Sequence, residues 1–336
     1  MNQDFIKSHK NIVLMGGGGI LDTYLPAITK VFDVAYIADN NPLKQRKYQN
    51  FKFASPDDLH QIENAFVIVT TSLGNYRSID QQLALKNIPH CLLASIERFP
   101  VDFPMVQLSQ IEGAWHDHQG NSVIVDGESN LSKDAWVLFG RPWGGDAFSI
   151  KASNNHLHIG AHTSLNGECT FLFMGNGSEI HIGAYNGIGN CNLSISEGSS
   201  LRTGRGCNFG SFSATVYEEG KIDIGNDCMF SHAIQLWQTD THPIFDVMTG
   251  ERLNQSRNIS IGNHVWVGTN SFIMGGASIG DDSIVGANAV TSGQFEPNAI
   301  IAGNPARVVR KGVTWRKDEL CLSRIRHISD CSPLPL

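Results

Sequence analysis

The segment from Ile261 to Val290 repeats every six residues, as IGNHVW, VGTNSF, IMGGAS, IGDDSI and VGANAV. The first place of each hexapeptide is aliphatic (Ile261, Val267, Ile273, Ile279, Val285). The second is Gly except in the third repeat, where Met274 stands, and the fifth is small or β-branched (Val265, Ser271, Ala277, Ser283, Ala289). A helix would return its apolar face every ~3.6 residues and a strand every second residue. A strict period of six belongs to neither. It fits a coil whose short flat sides each bury one aliphatic and one small residue before turning a corner. Three sides close a triangular rung of about eighteen residues, so Ile279 is predicted to stack on Ile261. The expected class is mainly β, a parallel β-helix.

The composition agrees with a corner-rich coil. Charged residues are 17% of the chain, below the usual ~25%, and the 34 Gly in 336 residues exceed the usual ~7%. A net charge of −7 argues against a general nucleic-acid binder. The apolar run Ile12 to Met15 is too short for a signal peptide or a membrane helix, and no later segment reaches ~18 apolar residues. The seven cysteines form no CxxC pair. They read as reduced thiols of a cytoplasmic protein. The histidines show no ligand pattern such as HExxH, so no metal is expected.

Residues 1–100 have a different rhythm. Asn11 to Met15 leads into Gly16, Gly17, Gly18 and Gly19, then into a predicted helix, ILDTYLPAITKV. Further apolar runs (Val34 to Ile37, Ala65 to Thr70, His90 to Ala94) alternate with a helix through about Lys86. Alternating strands and helices predict a small Rossmann-like α/β domain with a parallel sheet. Its glycine turn, with Gly17 and Gly19, would aim backbone N–H groups at an anion, and Asp39 could accept from a ribose hydroxyl. Leu21 stands where a dinucleotide fingerprint expects Gly or Ala, which disfavours nicotinamide binding. The alternatives are a nucleotide-sugar site and a module that binds nothing. Pro100 and Pro104 mark a junction, 101–150, of irregular β segments in which Arg141 and Trp143 read as a surface loop. The coil is expected over 151–312, with rung starts at Ile159, Ile182, Leu201 and Ile224, and 313–336 as a closing helix and tail.

The coil is interrupted at 240–258, DTHPIFDVMTGERLNQSRN. A polar loop projecting from a rigid scaffold is where function concentrates. Transfer of an acyl group from a thioester to an alcohol needs a base for the hydroxyl proton. His242 supplies an imidazole, a side chain whose ordinary pKa of about 6.5 suits that work near neutrality. Asp240 and Asp246 flank it as groups that could orient the ring. Trp237, just before the loop, is a possible platform for a sugar ring, and Trp266 closes the hexapeptide that follows. Beyond the repeats, AGNPARVVRK makes a turn at Gly303, Asn304 and Pro305, with Arg307, Arg310 and Lys311 as positive charges suited to phosphate. Gly268, Gly286 and Ala287 would let a thin ligand approach the coil backbone.

At its hexapeptides the chain resembles the left-handed β-helix acyltransferases. The loop DTHPIFD followed by HVWVGTN resembles the members that O-acetylate sugars of bacterial capsule and lipopolysaccharide. The resemblance implies an acetyl-CoA-dependent O-acetyltransferase in which His242 is the base and Trp266 lies by the reaction centre. It also implies that the GNPAR turn borders the acetyl-CoA groove and that three coils pack as a homotrimer. The N-terminal half looks like the domain that precedes the β-helix in some sugar acyltransferases, where it binds a nucleotide-linked sugar. Two rivals remain: an N-acetyltransferase of a nucleotide-linked amino sugar, and a non-catalytic sugar-binding scaffold.

Overall fold

The computed structural model describes residues 2–16, 19–71, 73–96, 104–140 and 152–317. The chain divides into two compact units that interleave in sequence. The first comprises Met1–Ile111, Lys133–Ser153 and Thr170–Asn176; the second comprises Glu112–Ser132, Asn154–Cys169 and Gly177–Leu336. The division therefore does not follow the linear boundaries expected at 100 and 150. One reason is Trp136, which is buried in a core of the first unit.

In the first unit β1 (Asn11–Met15), β2 (Val34–Ala38), β3 (Lys52–Ala54), β4 (Ala65–Val69) and β5 (His90–Leu92) form a parallel sheet in the order β3-β2-β1-β4-β5. Both faces are covered, so the strands read as unbroken apolar runs. Ile12, Leu14, Phe66 and Ile68 pack with Leu21 and Ile28 of the helix Gly19–Val31. Val13, Met15, Val67 and Val69 face the other way, onto Tyr76 and Leu83 of the helix Leu73–Leu85. The third strand escapes a sequence reading because KFA is partly exposed and forms no apolar run.

The second unit is a parallel coil. On one side Ile159, Ile182, Thr203, Ile224, Ile261 and Ile279 stand in register, rung upon rung. Ile279 thus stacks on Ile261, as the period of six predicts. The expected start at Leu201 is shifted by two: Leu201 aligns with Ile180 and Ile222, and Thr203 takes the rung position. Alternate residues of a strand face the same way, so both Leu201 and Thr203 point inward, and the larger one misleads. On a second side Val267 lies between Phe230 and Val285. On the third, Ile273 lies between Leu236 and Thr291.

The glycine of each hexapeptide has a steric cause. A Cβ on Gly225 would lie 2.6 Å from the carbonyl carbon of Gly262, one rung on. Stacked corners leave no room for a side chain there. The coil ends in an antiparallel hairpin, Ala299–Gly303 with Ala306–Lys311. The chain then runs back along a corner. Val313 bonds to Asn298, Thr314 to Asp282, and Lys317 to the carbonyl of Gly206. Trp315 stacks on His264 at 4.3 Å and donates its indole N–H to the His264 carbonyl. Trp315 to Lys317 are therefore not helical, contrary to the expected closing helix; 318–336, like Arg141 and Trp143, lie outside the described residues.

Candidate functional site

The loop 240–258 leaves the coil at one corner. The strand Ile234–Trp237 ends before it and Ile259–Ile261 resumes after it. One rung on, Gly275 to Ala277 turns the same corner between Phe272–Met274 and Ser278–Ile279. The loop is folded on itself by an antiparallel bridge between Phe245 and Arg252. Asn254 is its central tie. Its amide donates to the Asp240 carboxylate at 2.9 Å and to the His242 carbonyl at 2.8 Å, while its oxygen accepts from the Ile244 N–H at 2.7 Å. Arg252 anchors the returning arm by an ion pair to Glu218 at 2.6 Å, and Ser256 donates to the same carboxylate. The Arg252 side chain, then the Ser256 hydroxyl, hold Glu218 below the usual carboxylate range.

The backbone at His242 is pinned, but its side chain is exposed and has no hydrogen bond among the described residues. The two flanking aspartates have other work. Asp246 accepts from the N–H groups of Met248 and Thr249, both at 2.8 Å, and caps the turn at the loop tip. The Thr249 and Met248 bonds lower its pKa. Asp240 is held by Asn254 and lines a cleft of about 200 Å³ at the loop base, with Trp237, Arg257, Met274 and Ser292. Trp237 leans on Phe272, ring centroids 5.3 Å apart, and is 38% exposed.

The other expected residues are spread over the coil. Trp266 is 37% exposed and aligns with Met229 and Ile284, whereas Trp237 aligns with Met274. The two tryptophans thus stand on different sides of the coil. Trp266 also approaches Trp315, centroids 6.0 Å apart. Gly268 is small for a packing reason, since a Cβ there would lie 2.7 Å from the Ala287 nitrogen. Gly286 meets the Ala302 methyl in the same way, and Ala287 is exposed. Gly303, Asn304 and Pro305 form the hairpin turn, with a cis bond before Pro305. Arg307 lies beside it, opposite Ala302, while Arg310 and Lys311 lie at the far end of the hairpin, opposite Ile300 and Ala299. In the first unit Gly19 opens a helix and Gly17 lies outside the described residues. Asp39 accepts from the Asn41 N–H and pairs with Lys44 at 2.8 Å, so its carboxylate is engaged in its own turn. Among the described residues no three His, Cys, Asp or Glu side chains are grouped to hold a metal ion, and no helix is long and apolar enough to cross a membrane.

Comparison with known proteins bears on this geometry. The family described as bacterial transferase hexapeptide (six repeats) matches residues 258–293. A polysialic acid O-acetyltransferase of Neisseria meningitidis is 32% identical over 151 residues, which is 38% of this chain and 70% of that protein. The chain belongs to the hexapeptide-repeat acetyltransferases. A galactoside O-acetyltransferase of Escherichia coli K12 is 32% identical over 35% of this chain and 57% of its own length. A polysialic acid O-acetyltransferase of Escherichia coli O1:K1 is 30% identical over 37% and 40%. This hexapeptide-repeat acetyltransferase therefore spans less than two thirds of each Escherichia coli relative. Among solved structures, the polysialic acid O-acetyltransferase OatWY is 34% identical over 50% of this chain and 79% of its own, with a TM-score of 0.48.

Sequence reasoning missed Asn254 and Arg257 of this acetyltransferase's loop and Glu218 of the rung before it. Asn254, Glu218 and Arg257 sit outside any repeat, and a lone Asn or Arg between polar neighbours carries no periodic signal. One hint was available: an Asn that can both donate and accept suits a residue that ties two chain segments.

Proposed function

We propose that this chain transfers the acetyl group of acetyl-CoA to a sugar hydroxyl of a surface polysaccharide or its precursor, with His242 as the general base. The observation that carries this reading is the loop itself. The loop is tied at Asp240, His242 and Ile244 by Asn254, yet among the described residues the imidazole has no hydrogen-bond partner. A base must be positioned and also free to take a proton. In the proposed step the sugar hydroxyl gives its proton to the imidazole as its oxygen attacks the thioester carbonyl. The C–S bond then breaks, the acetyl ester forms, and the imidazolium returns the proton to the departing thiolate of coenzyme A. No acyl-enzyme is needed. Asp240 supports the loop through Asn254, and the role of Asp246 is to hold the tip turn.

Coenzyme A carries phosphates and a thin pantetheine arm. Arg307, Arg310 and Lys311 supply charge for the first, and the small residues Gly268, Gly286 and Ala287 line a coil that the second can follow, past the Gly303 to Pro305 turn. Trp237 and Trp266 stand on different sides of one coil. We therefore assign them to one reaction centre only across two copies, in a homotrimer. The first unit is proposed to add acceptor affinity, through a nucleotide-linked sugar near Gly17, Gly19 and Asp39.

The test is release of free thiol from acetyl-CoA by the purified protein, with and without sugar acceptors, followed by mass spectrometry of the product. Sugar-dependent release with an alkali-labile acetyl is expected. An alkali-stable amide would instead favour the N-acetyltransferase, and no release with any sugar would favour the binding scaffold.

A further inference from the structure

Residues 313–317 run back over one corner of the coil, and their ties converge on one side chain. Asn298 and Val313 exchange two hydrogen bonds, each 3.1 Å. Thr314 donates its hydroxyl to the Asp282 carboxylate at 3.1 Å. The same carboxylate oxygen lies 2.8 Å from Nδ1 of His264. The His264 ring is flat on Trp315, 8° from parallel with centroids 4.3 Å apart, and the Trp315 indole N–H donates to the His264 carbonyl at 2.7 Å. Thr314, Asp282, His264 and Trp315 thus close a ring of contacts. Trp315 is buried, although Thr314 and Lys317 on either side of it are exposed. An indole held by both a stack and a hydrogen bond has one orientation.

Beside this ring of contacts stands Trp266, its centroid 6.0 Å from that of Trp315 at an angle of 45°. That spacing lies within the range where aromatic pairs attract. Trp266 is otherwise weakly held. It is exposed, and its hydrogen bond to the Ser231 hydroxyl is long at 3.5 Å. Alternate residues of a strand face the same way, so Gly268 lies beside Trp266 on the outer face, with Gly286 one rung on. Neither has a side chain that could stop the indole from swinging across the face. We propose that Trp315 is a positioning residue for the acyl donor. It fixes the Trp266 indole beside Gly268 and Gly286, so that indole and coil backbone form two walls for the pantetheine arm of acetyl-CoA. This rests on the reading of the chain as an acetyl-CoA-dependent transferase with Trp266 by the reaction centre. Trp315 acts through Trp266 and does not itself touch the donor. A thin arm gains from contact on both sides, and a wall displaced by about 1 Å forfeits up to about half of its dispersion contacts. The phosphates are read by charge elsewhere, so the effect is confined to the arm.

The test is equilibrium dialysis of the full-length protein with two probes, acetyl-CoA and adenosine 3′,5′-bisphosphate, which keeps the phosphorylated nucleoside and lacks the arm. Trp315→Ala is expected to raise the Kd for acetyl-CoA about five- to tenfold, the scale of one aromatic contact, and to leave the bisphosphate within about twofold. Trp315→Phe, which keeps a flat ring, should recover most of the loss. Trp266→Ala should weaken acetyl-CoA at least as much. Adding Trp315→Ala to it should cost little more, because residues that act through one another are not additive. Trp315→Leu keeps apolar bulk over His264 without a flat ring, and it should show the same selective loss if the Ala variant does not fold. Equal weakening of both probes, or additive losses in the double variant, would overturn the role of Trp315. So would a Trp315→Ala Kd for acetyl-CoA within twofold of wild type, and each of these leaves the acetyltransferase reading standing. Failure of wild type to bind acetyl-CoA at all would overturn both.

Discussion

The stacked rungs from Ile259 to Ile301 and the loop 240–258 meet at Trp237, yet they spend their residues in opposite ways. In the rungs the first place of each hexapeptide is interior: Val267, Ile273 and Val285 are all 0% exposed. Their backbones bond to the rung above and the rung below. In the loop, Val247 and Met248 are 97% and 92% exposed, Ile244 and Phe245 more than half so, and the chain is held by a few side-chain bonds. The rungs are determined many times over by repetition, whereas the loop depends on single residues. The difference teaches where to look for chemistry. A group that must accept a proton and meet a substrate cannot also be committed to a ladder, and the proposed base, His242, stands where the ladder is broken.

The sharpest way to break this contrast is at His242. His242→Gln is expected to lower kcat by about 10²–10⁴-fold, the usual worth of a positioned base, while leaving Tm and the KM for acetyl-CoA in place. Near wild-type turnover of His242→Gln would remove the loop from the reaction.

The rungs should answer in the opposite currency. Ile273→Ala removes a fully buried side chain between Leu236 and Thr291. A loss of roughly 2–5 kcal/mol is expected, read as a lower midpoint in a denaturant titration, with turnover per folded molecule little changed. A large fall in kcat with unchanged stability would mean that the coil takes part in the chemistry more directly than its packing suggests.

Asn254→Ala tests the tie between the two regions. It removes the bonds to Asp240, His242 and Ile244 at once. Each such bond contributes about 0.5–1.5 kcal/mol to holding the loop, so kcat/KM should fall about tenfold or more while the denaturation midpoint of the coil stays put. Glu218→Gln should weaken the same loop less, because Ser256 can still donate to the amide oxygen. The Glu218 carboxyl is held low by Arg252. Its contribution is therefore present above the unfolded pKa and is lost only as pH falls through the depressed folded value. The Arg252 tether should be intact at neutral pH and open in acid.

What could be read from the sequence follows the same division. The period of six carries the register of Ile261 with Ile279, because each rung repeats the same steric demand. It fails at Leu201, where two neighbouring inward positions compete and the aliphatic side chain outbids Thr203, which holds the rung position. The position of His242 in an interruption was legible, since the interruption is defined by the repeats around it. The partners that hold it were not. Asn254 acts on Asp240 and His242 across a fold in the loop, and Glu218 acts on Arg252 from a corner of the preceding rung. Neither relation has a period. The extended path of Val313 to Lys317 was hidden for a similar reason: it is set by Asn298, Asp282 and His264, one from each of three stacked corners, not by the local pattern of WRKDEL.

The smallest expected effect concerns the two aspartates, and it separates two readings of the loop. Asp240 stands two residues before His242 and Asp246 four after it, so by sequence either could orient the ring. In the folded loop they are unequal. Asp246 takes the N–H groups of Met248 and Thr249 through one oxygen, and an Asn at that position keeps an oxygen able to accept both. Asp246→Asn should therefore change kcat/KM by no more than about twofold, as for a surface substitution that preserves its contacts. Asp240 accepts from Asn254 at the cleft wall. Asp240→Asn keeps an oxygen that can accept from Asn254 but loses the charge that strengthens the bond at the cleft wall, so a loss of about five- to tenfold is expected. The ratio of the two losses, measured under one set of conditions, is the discriminating quantity. A larger loss at Asp246 than at Asp240 would mean that the tip turn opens during turnover and that Asp246, not the Asn254 tie, governs the imidazole.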